Sequence, residues 1–109
     1  MALTSYTYKE QTTTALDAND TNSVTESFDI KDNFNVAWSV LEKTGSHSTH
    51  VLTLQRSTDN VNWDNTSSTI IAGTTYTVKF GSALVRYARI KVTTAEGAVS
   101  TVDIVINAK

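Results

Sequence analysis

The chain has two histidines, both in the run His47-Ser-Thr-His50. Imidazole pairs ligate metals when both rings reach one side and a carboxylate joins them from elsewhere. If this run lies in one arm of a hairpin, residues three apart face opposite ways, so both rings are expected at the surface and no metal is expected. Serines are plentiful, but none sits in a Gly-x-Ser-x-Gly elbow or another nucleophile context. No catalytic residue is assigned, and enzymatic activity is not expected. The run Asp17-Ala-Asn-Asp-Thr-Asn22 places oxygen donors in one segment, which makes Asp17, Asn19 and Asp20 a weak Ca²⁺ candidate. It lacks the glycine and the closing bidentate glutamate of an EF-hand, so a solvated turn is the simpler expectation. Arg86, Arg89 and Lys91 form a small basic group. The first half is acidic by comparison, with Glu10, Asp17, Asp20, Glu26, Asp29, Asp32 and Glu42 against Lys9, Lys31 and Lys43. Such asymmetry either orients subunits and partners or lies on a solvated strand face. No cofactor is implied.

Composition limits the elements that must position these residues. The chain has 109 residues, a net charge of -2 and a hydrophobic fraction of 39%, which together suit one folded domain with a single core. The small negative charge argues against nucleic acid or an anionic membrane as partner. No apolar run approaches the roughly 20 residues that span a bilayer. No basic-then-apolar leader opens the chain, so export by a signal peptide is not expected. Cysteine is absent, which excludes disulfides and thiolate metal sites and fits assembly in a reducing cytoplasm. Proline is absent too, so sheet edges lack that device and must be short, charged or covered. Threonine, roughly a sixth of the chain, favours strands through its branched Cβ.

Hydrophobic alternation then predicts the strands. Leu3 to Tyr8 reads as a first edge strand. Residues 9–23 are polar and read as an extended arm or long loop, the first candidate for reaching a neighbouring subunit. Val24, Glu26, Phe28 and Ile30 share one face of a strand; Phe34, Val36, Trp38 and Val40 share one face of the next. Trp38 is expected in the core. Thr44 to Thr49 reads as a hairpin loop, with Gly45 able to take a positive φ. Val51 to Ser57 is a strand running into a turn built by Asp59, Asn60 and Asn62 and closed by Trp63. Asp64 to Ser68 reads as a polar stretch and Ile70-Ile71 as a short apolar patch. Strands follow at Thr74 to Phe80, at Leu84 to Thr94, and around Val102, Ile104 and Ile106. Arg86 breaks the parity of its strand: either a bulge resets the phase, or Arg86 sits at the sheet rim, which is preferred. Seven or eight strands at about 10 to 14 residue intervals predict an all-β antiparallel sandwich, jelly-roll or immunoglobulin-like, without significant helix.

Two pieces carry a family resemblance. Leu52-Thr-Leu-Gln-Arg-Ser-Thr-Asp-Asn-Val-Asn-Trp63 resembles the "strand, Ser, Asp-Gly, x, x-Trp" segment of discoidin-like and galactose-binding-like jelly rolls. Val85-Arg-Tyr-Ala-Arg-Ile-Lys-Val92 is similar to their "Ala-Arg-Tyr-Val-Arg-Ile" strand. Asn60 stands where the glycine usually follows the aspartate, and it tolerates the left-handed conformation. The same pieces resemble short virion proteins of tailed bacteriophages, above all head decoration (cement) proteins. That resemblance implies a structural protein of the virion, made in the host cytoplasm. Its partner would be the major capsid protein or another virion protein, and it would form a homo-oligomer, a trimer ahead of a dimer, without nucleic acid or membrane contact. The interface candidates are Thr12, Thr13, Thr14, Asp17, Asp20, Arg86, Arg89 and Lys91. The alternative is a carbohydrate-binding or adhesin-type module, although no set of sugar-binding loop residues maps onto this chain.

Overall fold

The computed structural model describes residues 9–30, 35–73, 76–81 and 86–108. The strand expected at Leu3 to Tyr8 lies outside these residues. Eight strands occur in chain order: β1 (Lys9–Asp17), β2 (Phe28–Asp29), β3 (Val36–Gly45), β4 (Val51–Ser57), β5 (Asp64–Ile71), β6 (Tyr76–Gly81), β7 (Tyr87–Thr94) and β8 (Ser100–Ala108). They form two four-stranded antiparallel sheets, ordered β1-β8-β3-β6 and β2-β7-β4-β5. No described residue is helical. The protein is an all-β sandwich, as its alternation predicts.

The core lies between the sheets because each long strand turns one face inward. From the first sheet come Val36, Trp38 and Val40 of β3 and Val102, Ile104, Ile106 and Ala108 of β8. From the second come Leu52, Leu54, Ile70, Ala88, Ile90 and Val92, joined by Phe28 and Ile30. Trp38 is fully buried, and its indole N–H donates to Ser68 Oγ at 2.9 Å. The ring thus fills the core while its polar atom is satisfied from β5, on the facing sheet. At about 25 cal/mol per Å² of apolar surface, a buried aromatic of this size is among the larger single contributions to folding.

Four expectations change. Residues 9–23 are not a free arm. Lys9–Asp17 is a strand at the margin of its sheet, registered on β8 from Lys9↔Ala108 to Asp17↔Thr101. A bulge between Thr13 and Leu16 breaks the alternation there, with Ala15 at φ 55 and its N–H donating to Asp103 Oδ1 at 3.0 Å. A polar strand with one bulge shows no clean period of two. Asp64 to Ser68 is likewise part of a strand, β5, whose marginal position leaves much of it facing water. Thr44 to Thr49 is not a hairpin loop, since β3 and β4 belong to different sheets and do not pair. The chain crosses the sandwich there. The long strand expected from Val24 keeps only an isolated bridge from Val24 to Lys91 and the two residues of β2.

Arg86 resolves as a rim residue. It is exposed just before β7, and its Nη2 lies 3.1 Å from Asp29 Oδ2. That ion pair raises its already high pKa, chiefly through the Asp29 hydrogen bond.

Candidate functional site

Loops gather at one end of the sandwich, and the β3–β4 crossing is built around a single carboxylate. Gly45 starts the crossing at φ 86, where a Cβ would lie 1.8 Å from the carbonyl oxygen of Val99. Only glycine fits both the angle and the approach. Beyond it, Glu96 on the β7–β8 connection enters the concave side of the loop. Glu96 Oε1 accepts the backbone N–H of Ser48 (2.7 Å), Thr49 (3.0 Å) and His50 (3.3 Å), and Oε2 accepts the hydroxyls of Ser48 and Thr49, both at 3.0 Å. Successive N–H groups around one anion form a nest. They hold the Glu96 carboxyl well below the usual carboxylate range, the Thr49 N–H most strongly, against the opposing effect of burial.

His50 follows from this anchor. It is 1% exposed, and its Nδ1 lies 3.1 Å from Glu96 Oε1. A carboxylate that already accepts five N–H and O–H groups also accepts here, so Nδ1 is the donor. Nε2 is directed away from Glu96, toward Glu42 Oε2 at 3.6 Å. His47 Nδ1 lies 3.7 Å from the same oxygen, and the two rings meet edge to face with centroids 5.3 Å apart. Neither distance is a hydrogen bond. Glu42 Oε2 also accepts the N–H of Gly73 at 2.9 Å. Among the described residues, His50 Nε2 and both ring nitrogens of His47 are buried without a hydrogen-bond partner.

The histidines are therefore neither surface residues nor on opposite faces. Alternation assigns opposite faces only within a strand, and these residues lie on a crossing loop that curls round Glu96. Both conditions set by the sequence for joint ligation are met: the rings lie on one side, and β3 supplies the carboxylate. The donor atoms of Glu42, His47 and His50 lie within 4.8 Å of one another. Glu96 is 46 residues from His50, so no local pattern marks it; Glu42 is near in sequence, but reading Thr44 to Thr49 as a hairpin loop hid its approach to the two rings.

The other candidate residues do not converge. Thr12 and Thr14 are exposed and Thr13 is half-buried, all on β1. Asp17 ends β1, and Asp20 Oδ1 accepts the N–H of Asn22 at 2.8 Å in an Asx turn, the solvated turn expected of that segment. The basic group is engaged within the chain. Arg86 pairs with Asp29, and Arg89 donates to Gln55 Oε1 at 2.8 Å while its guanidinium lies 4.1 Å from the centre of the Trp63 ring. Partial burial lowers the Arg89 pKa. Lys91 Nζ donates to the Thr21 carbonyl. Trp63 thus closes its turn as a stacking partner of Arg89. Asn60 adopts φ 63, and Asp59 Oδ1 accepts the N–H of Val61 (2.9 Å) and Asn62 (2.8 Å). A shallow groove beside this turn is lined by Arg56, Ser57, Thr58, Asn62, Trp63 and Asp64.

No protein-family model and no curated protein sequence matches the chain. Solved structures do share the fold. The PBSX exported protein XepA superposes with a TM-score of 0.66 at 16% identity, over 92% of this chain and 36% of that one. The chain therefore spans about a third of XepA. The SPBc2 prophage-derived protein YomS matches with a TM-score of 0.53 at 13% identity, over 96% of this chain and 99% of that one. The K1 cleaved adhesin domain of Lys-gingipain from Porphyromonas gingivalis W83 matches with a TM-score of 0.51 at 12% identity, over 80% of this chain and 61% of that one. The structural neighbours are thus phage-derived proteins and an adhesin domain, and at these identities what they share with this chain is the β-sandwich.

Proposed function

We propose that this chain is a non-enzymatic structural protein of a phage or prophage particle, bound to the capsid or to another virion protein as a homo-oligomer. The observation that carries this reading is the fold in common with two phage-derived proteins, one of which, YomS, matches over nearly the full length of both chains. The strand-turn resemblance to head decoration proteins supports it independently. In this reading the contacts are non-covalent and individually weak, and they sum through many copies. Exposed Thr12 and Thr14 on marginal strand β1 are the first contact candidates. Arg86, Arg89 and Lys91 are weaker candidates, because they already hold partners in their own chain. Binding to the assembled shell alone would stabilise that shell by mass action.

Quantitative mass spectrometry of purified particles is expected to find the chain in many copies. Added protein is expected to raise the disruption temperature of capsids that lack it. Absence from the particle, together with no change in disruption temperature, would overturn the proposal. The second reading, an adhesin-type or carbohydrate-binding module, draws on the gingipain adhesin domain as a neighbour and on the groove beside Trp63. Glycan-array binding that is lost in Trp63→Ala would favour it.

A further inference from the structure

We propose that Glu42, His47 and His50 form a binding site for a divalent transition-metal ion, Zn²⁺ in the first instance, which ties the two sheets together at one end of the sandwich. The geometry carries the inference. Zinc takes imidazole nitrogen and carboxylate oxygen at about 2.0 to 2.2 Å, which sets neighbouring donors on a tetrahedron about 3.3 to 3.5 Å apart. Glu42 Oε2 lies 3.6 Å from His50 Nε2 and 3.7 Å from His47 Nδ1. These separations are too long for hydrogen bonds and a few tenths of an ångström from the spacing a shared ion imposes. Two imidazoles disfavour Ca²⁺ and Mg²⁺, which take oxygen donors.

Burial and orientation support the same assignment. The His50 side chain is fully buried, those of His47 and Glu42 are 11% and 13% exposed, and three of the four ring nitrogens have no hydrogen-bond partner among the described residues. Buried polar atoms of this kind are costly unless something satisfies them. A carboxylate behind a ligating histidine, bonded to its other nitrogen, is the usual support of such sites, and Glu96 stands in that position relative to His50. Three protein donors leave a fourth tetrahedral position for water or for a donor from a partner.

The site joins elements that the backbone ladders do not. Glu42 lies on β3 in one sheet, and His50 immediately precedes β4 in the other. An ion there would cross-link the sheets, as a disulfide does in chains that have cysteine.

The test uses the untagged full chain, stripped with chelator and then titrated with Zn²⁺ by calorimetry and with Co²⁺ by visible absorption. The expected result is one ion per chain and a Co²⁺ spectrum of four- or five-coordinate intensity. Melting temperature should rise by roughly 10 °C or more at zinc a hundredfold above Kd. His47→Ala removes a ring that makes no hydrogen bond, and Glu42→Gln keeps an acceptor for Gly73. Each should keep the metal-free fold by circular dichroism and weaken Zn²⁺ binding at least tenfold. Failure of the wild-type chain to bind a stoichiometric ion would overturn the site. So would affinity within threefold of wild type in either variant, and if His47→Ala does not fold, Glu42→Gln decides alone.

Discussion

The ring of His50 is held by Glu96, Nδ1 to Oε1 at 3.1 Å, across 46 residues of sequence. The same oxygen also receives the backbone N–H groups of Ser48, Thr49 and His50, so ring orientation and loop conformation depend on one carboxylate.

Replacing that carboxylate should loosen the loop more than a substitution at an exposed site. Glu96→Gln puts an amide N–H₂ where N–H groups already converge, and Glu96→Ala leaves them unpaired. Both variants are expected to melt several degrees below wild type, and amide hydrogen exchange should accelerate at Ser48 to His50 before it does in β8. Unchanged exchange in that loop would show that Glu96 does not organise it.

The Trp38–Ser68 bond joins the two sheets through the core, and its removal should be measurable in a double-mutant cycle. Ser68→Ala leaves a buried indole N–H unsatisfied and should cost about 1 to 3 kcal/mol. Trp38→Phe should cost a similar amount, and the pair should couple by about 1 kcal/mol. Chemical denaturation of the four proteins measures this directly. Additive losses would mean that the bond contributes nothing beyond packing.

Two glycines with positive φ should respond differently to alanine. Gly45 is at φ 86, with the Val99 carbonyl in the space a Cβ would fill, whereas Gly73 is at φ 97 with no heavy atom within 4 Å. Gly73→Ala should cost about 1 to 2 kcal/mol, from the left-handed conformation alone. Gly45→Ala adds a backbone clash and should cost at least about 3 kcal/mol or prevent folding. Comparable melting temperatures for the two variants would contradict the close approach of the β3–β4 crossing to Val99.

Asp59 should resist protonation. The N–H groups of Asn62 and Val61, then the side chains of Asn62 and Ser57, hold its carboxyl well below the ordinary 3.8. A carboxyl depressed in the folded state adds stability above its unfolded pKa and loses it as pH falls through the folded value. The contribution is therefore present above about pH 4 and declines below it. Carboxyl carbon shifts followed by NMR should leave Asp59 ionised at about pH 2.5, where ordinary carboxylates are mostly protonated. Asp59→Asn should flatten the acid side of the melting-temperature profile.

Sequence alone determined the all-β class, the core faces of β3, β7 and β8, the burial of Trp38 and the Asp59–Asn60 turn. Each depends on local physics: alternation at a period of two, or side-chain bonds to the backbone two or three residues away. Local pattern misled where polarity hid pairing. Lys9–Asp17 and Asp64–Ile71 are marginal strands whose polar faces and, in β1, a bulge leave no readable period. Only tertiary structure decided which strands share a sheet, and therefore that β3 and β4 do not pair. The histidine–glutamate cluster depends on that one fact. With β3 and β4 paired, His47 and His50 would face opposite ways; with the crossing loop curled round Glu96, they meet at Glu42. Glu96 lies 46 residues beyond His50, and no local period relates the two.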